Sequence, residues 1–211
     1  MIKSYNIVSQ DSIDLFKKIW STEQSRKFVN WYDSENQDET SADVIDERIE
    51  LLPGSAEYQT LVDIVQQIRP EATNIWAAYQ RQLKPHKIHL DDLEGYTETM
   101  VIPLNDDPMA KVLVWKQQCK NVNDLHDLLS KWGAEEDATP INPNLHNEYD
   151  IDHTIDPNNG KYFGEYIEFL GDFSYHLGTI NHFPSFNLHC SSDWTKIPGQ
   201  TCKELVIIHT N

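Results

Sequence analysis

Hydrophobic positions recur along the chain with two different periods, and the change falls near residue 83. In SQDSIDLFKKIWSTEQSRKFVNW, Ile13, Phe16, Ile19 and Trp20 lie at helical spacing behind Ser9 or Asp11 as a cap. In SAEYQTLVDIVQQI, Leu61, Ile64, Val65 and Ile68 share one helix face. Ser55 can cap that helix, but Tyr58 stands where a capping box needs Glu or Gln. Pro70 ends the pattern and predicts a further helix over EATNIWAAYQRQL. Between the first two helices, YDSENQDETSADVIDE reads as a solvated loop, without the Asp and Gly spacing of a calcium loop.

After residue 83 the period becomes that of strands. KIHLD, ETMVIPL and KVLVWKQ are rich in β-branched and aliphatic residues and are separated by GY and NDDP turn chemistry. Strands return at KYFGEYIEFLGDFSYHLGTINHF and at CKELVIIHT. The interval between these groups is polar. It holds one predicted helix, NDLHDLLSKWG, with Gly133 as its C-terminal stop, followed by a loop. An interval this long between strands reads as a lid or a substrate-binding insertion, expected to close over the site. The expected organisation is a single domain: helical support over 1–82 and a β core over 83–211, with an insertion at 117–165. Helices followed by strands imply helices packed on a β-sandwich or barrel.

Composition narrows the functions. The chain has 211 residues, 39% hydrophobic, with a formal charge of −17 and no basic cluster. That disfavours a nucleic-acid backbone or an anionic membrane surface as partner, while a single buried cation can still hold a small anion. No apolar run reaches membrane-helix length, and MIKSYNIVSQDSIDLF does not read as a signal peptide. Three cysteines, Cys119, Cys190 and Cys202, without zinc spacing, read as reduced thiols and point to the cytoplasm.

The chemistry concentrates in PHKIHLDDLEGYTETMVIPLN. In an extended strand, residues two apart point to one side, so His89 and Asp91 converge on one point. An imidazole and a carboxylate aimed together suggest a metal. Asp92 would face the other way. Of the nine histidines, His126 lies on the predicted 123–133 helix, and His146 and His153 stand beside Asp150 and Asp152 in the polar interval and read as wet loop. His209, two residues from the end, reads as peripheral. His176, His182 and His189 are left as third ligands. Lys203 stands between Cys202 and Glu204 at the start of the apolar strand LVII. A lysine there either snorkels to the surface or binds an anion. Lys111 and Lys116 are the alternative cations.

The series His89-Leu90-Asp91, a distant His189 and then Lys203 resembles the Fe(II)/2-oxoglutarate-dependent dioxygenases. The wider wording HKIHLDD…VIPLN…LHCSSDW…CKELVIIHT is similar to uncharacterised phage-encoded or marine bacterial members of that superfamily. The resemblance covers residues 83–208 apart from the insertion. It implies a mostly β fold, a double-stranded β-helix (jelly roll) with supporting helices. It implies His89, Asp91 and His189 as a facial triad for Fe(II), with 2-oxoglutarate as cosubstrate and succinate and CO2 as products. A retained carboxylate at Asp91 favours hydroxylation over halogenation. Lys203 would pair with the distal carboxylate of 2-oxoglutarate as a point charge, and Thr99 would add a hydroxyl to the same carboxylate. Trp115, Trp132, Tyr149, Tyr162 and Trp194 are candidates for a pocket lining or for core, and Cys190 reads as core. The substrate is expected to be a small molecule or a protein side chain. Two other readings stand beside this one: a jelly-roll structural or sugar-binding protein without catalysis, and a cupin-like metal protein without 2-oxoglutarate, in which His86 could join the site.

Overall fold

In the computed structural model, residues 2–31, 44–86, 91, 94–117, 167–192, 194, 199 and 201–211 are described. The chain runs β1 (Lys3–Asn6), α1 (Gln10–Thr22), β2 (Phe28–Trp31), β3 (Val44–Glu50), α2 (Ala56–Ile68), β4 (Ile75–Gln82), β5 (Glu98–Pro103), β6 (Asp107–Gln117), β7 (Ile167–Tyr175), β8 (Thr179–Pro184), β9 (Leu188–Ser191) and β10 (Lys203–Thr210).

Both helices form where the apolar period placed them. The Ser9 hydroxyl accepts from the Ser12 amide at 3.2 Å and the Ser55 hydroxyl from the Tyr58 amide at 3.1 Å, so each serine satisfies an amide that the first turn leaves open. Helix α1 buries Ile13, Phe16 and Ile19, and α2 buries Leu61, Ile64 and Val65.

All strand pairing is antiparallel, in sheets ordered β1-β8-β5-β10-β4-β3-β2 and β7-β6-β9. Strand alternation splits the large sheet into two faces. Ala77, Tyr79, Met100, Ile102, Val206 and Ile208 pack with the helices in one apolar cluster. Val101, Phe183 and Leu205 face Val112, Val114, Phe173 and Tyr175 of the small sheet in a second cluster. The functional residues lie on this inner face.

One predicted helix is a strand. EATNIWAAYQRQL forms β4, hydrogen-bonded between β10 and β3. All the β4 residues except half-buried Trp76 and Arg81 are buried, because both faces of the strand are covered. A strand buried on both sides loses the two-residue alternation that would mark it. The segment 1–82 thus supplies four strands as well as two helices. The predicted helix NDLHDLLSKWG and the 117–165 insertion, beyond Gln117, lie outside the described residues, as does most of KIHLD.

Candidate metal centre

Strand β9 carries His189 on the inner face. Its Nδ1–H donates to the Asn187 carbonyl at 2.9 Å, which orients the ring with Nε2 turned away from that carbonyl. The Phe183 ring lies against the imidazole at 4.9 Å between centroids and fixes its tilt. Nε2 points at Asp91 Oδ2, 3.4 Å away. Asp91 is tied to the same region through its amide, which donates to the Ser185 carbonyl at 3.3 Å. Two ligands on adjacent positions of an octahedral ion with bonds of about 2.1 Å stand about 3 Å apart, so the pair fits a shared cation. The donor set also fits, since imidazole and carboxylate are the ligands Fe(II) takes in facial sites. His89 lies outside the described residues, and no cluster of three metal-ligating side chains occurs among the described ones.

Of the other histidine candidates, His182 faces away and pairs with Glu98 at 2.8 Å, and His176 is exposed beside Asp106. His126, His146 and His153 lie outside the described residues. His209 corrects the sequence reading. It is 2% exposed, because β10 is the middle strand of the large sheet. Its Nδ1 lies 3.3 Å from Thr99 Oγ1 and 3.9 Å from Asp91 Oδ2.

Thr99 also differs from expectation. Its hydroxyl donates to Asp91 Oδ2 at 2.8 Å. It stands opposite His209 on β10, six residues from Lys203 and so about 20 Å along the strand. In this structure the threonine hydroxyl serves Asp91.

Lys203 is fully buried at the other end of the inner face, across from Gln82. Its ammonium sits over the Tyr175 ring at 4.2 Å and the Trp194 ring at 5.8 Å, with Ser191 Oγ at 3.5 Å. Burial pushes its pKa down to about 7, against the opposing pull of Asp107 and Cys190. The alternative cations are surface groups: Lys111 is paired with Asp172 at 2.7 Å and Lys116 is exposed.

A cleft of about 370 Å³, counting its open mouth, joins the two ends. Thr99 and His189 line it at one end and Gln82, Tyr175 and Ser191 at the other, with Val101, Val112, Leu205 and Ile207 between. Ser191 lies two residues beyond His189 on β9, so the anchor and the coordinating pair are one same-face step apart on that strand. Gln80 and His86, which the sequence reading assigned no firm role, also line the cleft and both hydrogen-bond to buried Asp46. Burial, the largest single influence on Asp46, raises its pKa, but its bonds to His86 and Arg48 together hold it well below the usual carboxylate range. With its ring nitrogen on Asp46, His86 belongs to the wall of the cleft. Trp115 and Trp194 are core, as is Cys190. Trp132, Tyr149 and Tyr162 lie outside the described residues.

No protein-family model matches the sequence, and no curated protein does. Solved structures do match over the whole chain. A non-heme alpha ketoglutarate dependent carbocyclase, SnoK from nogalamycin biosynthesis, aligns over 100% of this chain and 79% of its own at a TM-score of 0.61 and 11% identity. HygX from Streptomyces hygroscopicus, with nickel and 2-oxoglutarate bound, aligns over 100% and 82% at 0.54 and 11%. A Pseudomonas putida prolyl-4-hydroxylase aligns over 100% and 91% at 0.52 and 12%. At these identities the likeness establishes the fold. The chain is a mostly β, double-stranded β-helix protein with two helices on the outer face of its large sheet, the jelly roll of the 2-oxoglutarate oxygenases.

Proposed function

We propose that the protein is an Fe(II)/2-oxoglutarate-dependent oxygenase, with His89, Asp91 and His189 holding the metal and Lys203 holding the distal carboxylate of 2-oxoglutarate. The observation that carries this is the inner face: Asp91 and His189 stand 3.4 Å apart, His189 and Ser191 line one cleft, and the ammonium of fully buried Lys203 lies 3.5 Å from Ser191 Oγ. Bound there, Fe(II) and 2-oxoglutarate would supply oxidation of a substrate C–H bond by O2, one oxygen atom passing to succinate as CO2 leaves and the other to the substrate. The chain's own part is binding and exclusion. Asp91 and His189 present one oxygen and one nitrogen to the ion, Lys203 fixes the far end of the diacid, and the apolar wall of Val101, Val112, Leu205 and Ile207 keeps water from its methylenes. The fold shared with the carbocyclase, HygX and the hydroxylase supports the reading. Retention of Asp91 supports hydroxylation as the outcome, on a small molecule or a protein side chain, and reduced thiols support a cytoplasmic setting. The wording HKIHLDD…CKELVIIHT is the ground for a phage or marine bacterial source.

Adding Fe(II) and then 2-oxoglutarate without oxygen tests the reading. A visible charge-transfer band that needs both components is expected. Iron binding without the band would replace the cosubstrate with a cupin-like metal site. No iron binding would leave a non-catalytic jelly roll.

A further inference from the structure

The hydrogen bonds around Thr99 have a direction that can be worked out atom by atom. Thr99 Oγ1 lies 2.8 Å from Asp91 Oδ2, 3.1 Å from Ser185 Oγ and 3.3 Å from His209 Nδ1. A hydroxyl has one proton to donate and two lone pairs to accept with, while an ionised carboxylate only accepts. The shortest contact, to the charged acceptor, therefore takes the Thr99 proton. Ser185 and His209 must then donate to Thr99. His209 is held as the Nδ1–H form, and the polarity runs His209 Nδ1–H to Thr99 O–H to Asp91 Oδ2. The oxygen at the end of this chain is the one that faces His189 Nε2 at 3.4 Å.

His209 is itself clamped. Trp76 stacks on it at 5.4 Å between centroids with 23° between planes, and Tyr96 meets it edge-on at 6.2 Å. Trp76, His209, Thr99 and Phe183 form one rank across β4, β10, β5 and β8, since each stands opposite the next in register. The two outer members end on the ring of His209 and the ring of His189. The rank thus reaches both coordinating side chains from one side, through a hydroxyl to the carboxylate and through a phenyl ring to the imidazole.

We propose that His209, acting through Thr99, is a positioning residue for the Asp91 carboxylate. It rests on the reading of Asp91 and His189 as metal ligands. Its work is geometric: it sets which carboxylate oxygen, and which lone pair of that oxygen, is turned toward the ion. Loss of such an outer partner lowers metal affinity about ten- to hundredfold.

The test uses Mn(II) alone, with free Mn(II) followed by electron paramagnetic resonance, on the full chain and on His209→Leu, His209→Asn and Thr99→Val, with Tm of each metal-free protein alongside. His209→Leu fills the space without a donor. His209→Asn loses the stacking on Trp76 but keeps an N–H donor near the Nδ1 position. Affinity should fall about tenfold or more in His209→Leu and Thr99→Val and return to within about threefold in His209→Asn. A packing role alone predicts the reverse for the two His209 variants. Unchanged affinity in His209→Leu, or an Asn variant as weak as the Leu variant, overturns the inference while leaving the metal centre standing. If His209→Leu fails to fold, Thr99→Val and His209→Asn decide it by the same criteria. A wild-type chain that binds no Mn(II) overturns the metal centre, and this role with it.

Discussion

On one side of β10, Val206 and Ile208 sit with Leu61, Val65 and Phe16 in an apolar cluster. On the other side of the same strand, Leu205 and Ile207 alternate with Lys203 and His209, which are 0% and 2% exposed. Both sides are buried to the same degree, yet only the first is assembled from groups that gain by leaving water. The second contains an ammonium, two amides and a carboxylate that stability alone would not select. Among the described residues, the buried Oε1 atoms of Gln80 and Gln82 have no hydrogen-bond partner, and both residues line the cleft. The outer face holds the protein together, and the inner face is a polar site bought out of that stability.

The largest effect should come from emptying the outer face. Leu61 is fully buried between helix and sheet. Leu61→Ala should cost about 2–5 kcal/mol, the sum of lost transfer energy and a cavity that the β4–β10 backbone cannot collapse. Thermal unfolding followed by circular dichroism should show the loss as several degrees in Tm. Fe(II) affinity of the still-folded variant should be unchanged. A metal affinity that fell with Tm would show that the two faces do not act separately.

The opposite change belongs to Lys203. Lys203→Met keeps volume and removes a buried charge, so the metal-free variant should be at least as stable as the parent. Its 2-oxoglutarate requirement should rise about ten- to hundredfold, the loss of one charge-assisted contact of about 1.5–3 kcal/mol. The pH dependence fixes the sign independently. The folded lysine has its pKa pushed down to about 7 from 10.5. Between those values the unfolded chain holds a proton that the folded chain does not, so wild-type stability rises with pH across this window. The advantage of Lys203→Met should therefore be greatest at about pH 6.5 and shrink toward about pH 9.5 in urea titrations. A gap constant with pH would mean that burial does not depress this lysine.

The same contrast explains what the sequence could reveal. The apolar periods of α1 and α2 and the serine caps were visible because one-sided burial leaves a stripe. The strands β5, β6, β8 and β10 were visible from their β-branched runs. The strand β4 was not, since Ala78, Gln80 and Gln82 are buried on the inner face while Ala77 and Tyr79 are buried on the outer. Its alanines and glutamines also favour helix locally, and tertiary packing overrides them. His189, Asp91 and Lys203 were singled out by spacing and resemblance. His209 was missed because nearness to the end of the chain was taken for nearness to the surface. The signal was present in KELVIIHT: His209 is an even number of residues from Lys203, so the two must share a face of any strand. The contacts of Thr99 with Asp91, and of His86 with Asp46, join residues 8 and 40 positions apart, and no local period encodes them.

The smallest effect sharpens the comparison most, because it acts at a place where the faces touch. Ser55→Ala removes the cap of α2 and should cost about 1 kcal/mol. Near its start that helix is tied to β4 by the Tyr58 hydroxyl donating to the Ile75 carbonyl at 2.9 Å, and at its end Arg69 pairs with Glu98 of β5 at 2.7 Å. The residue after Ile75, Trp76, stacks on His209. A frayed first turn of α2 moves Tyr58, and if β4 were compliant the shift would pass through Ile75 and Trp76 to His209 and on to Asp91. Strand β4 is instead paired with β10 along its whole length, Ile75 and Trp76 included, and with β3 from Ala78 to Gln82. A strand held on two sides does not follow one side chain. Ser55→Ala should lower Tm by a few degrees and leave Mn(II) affinity where it was. An affinity that shifted with the cap would show that the sheet transmits what it was expected to separate.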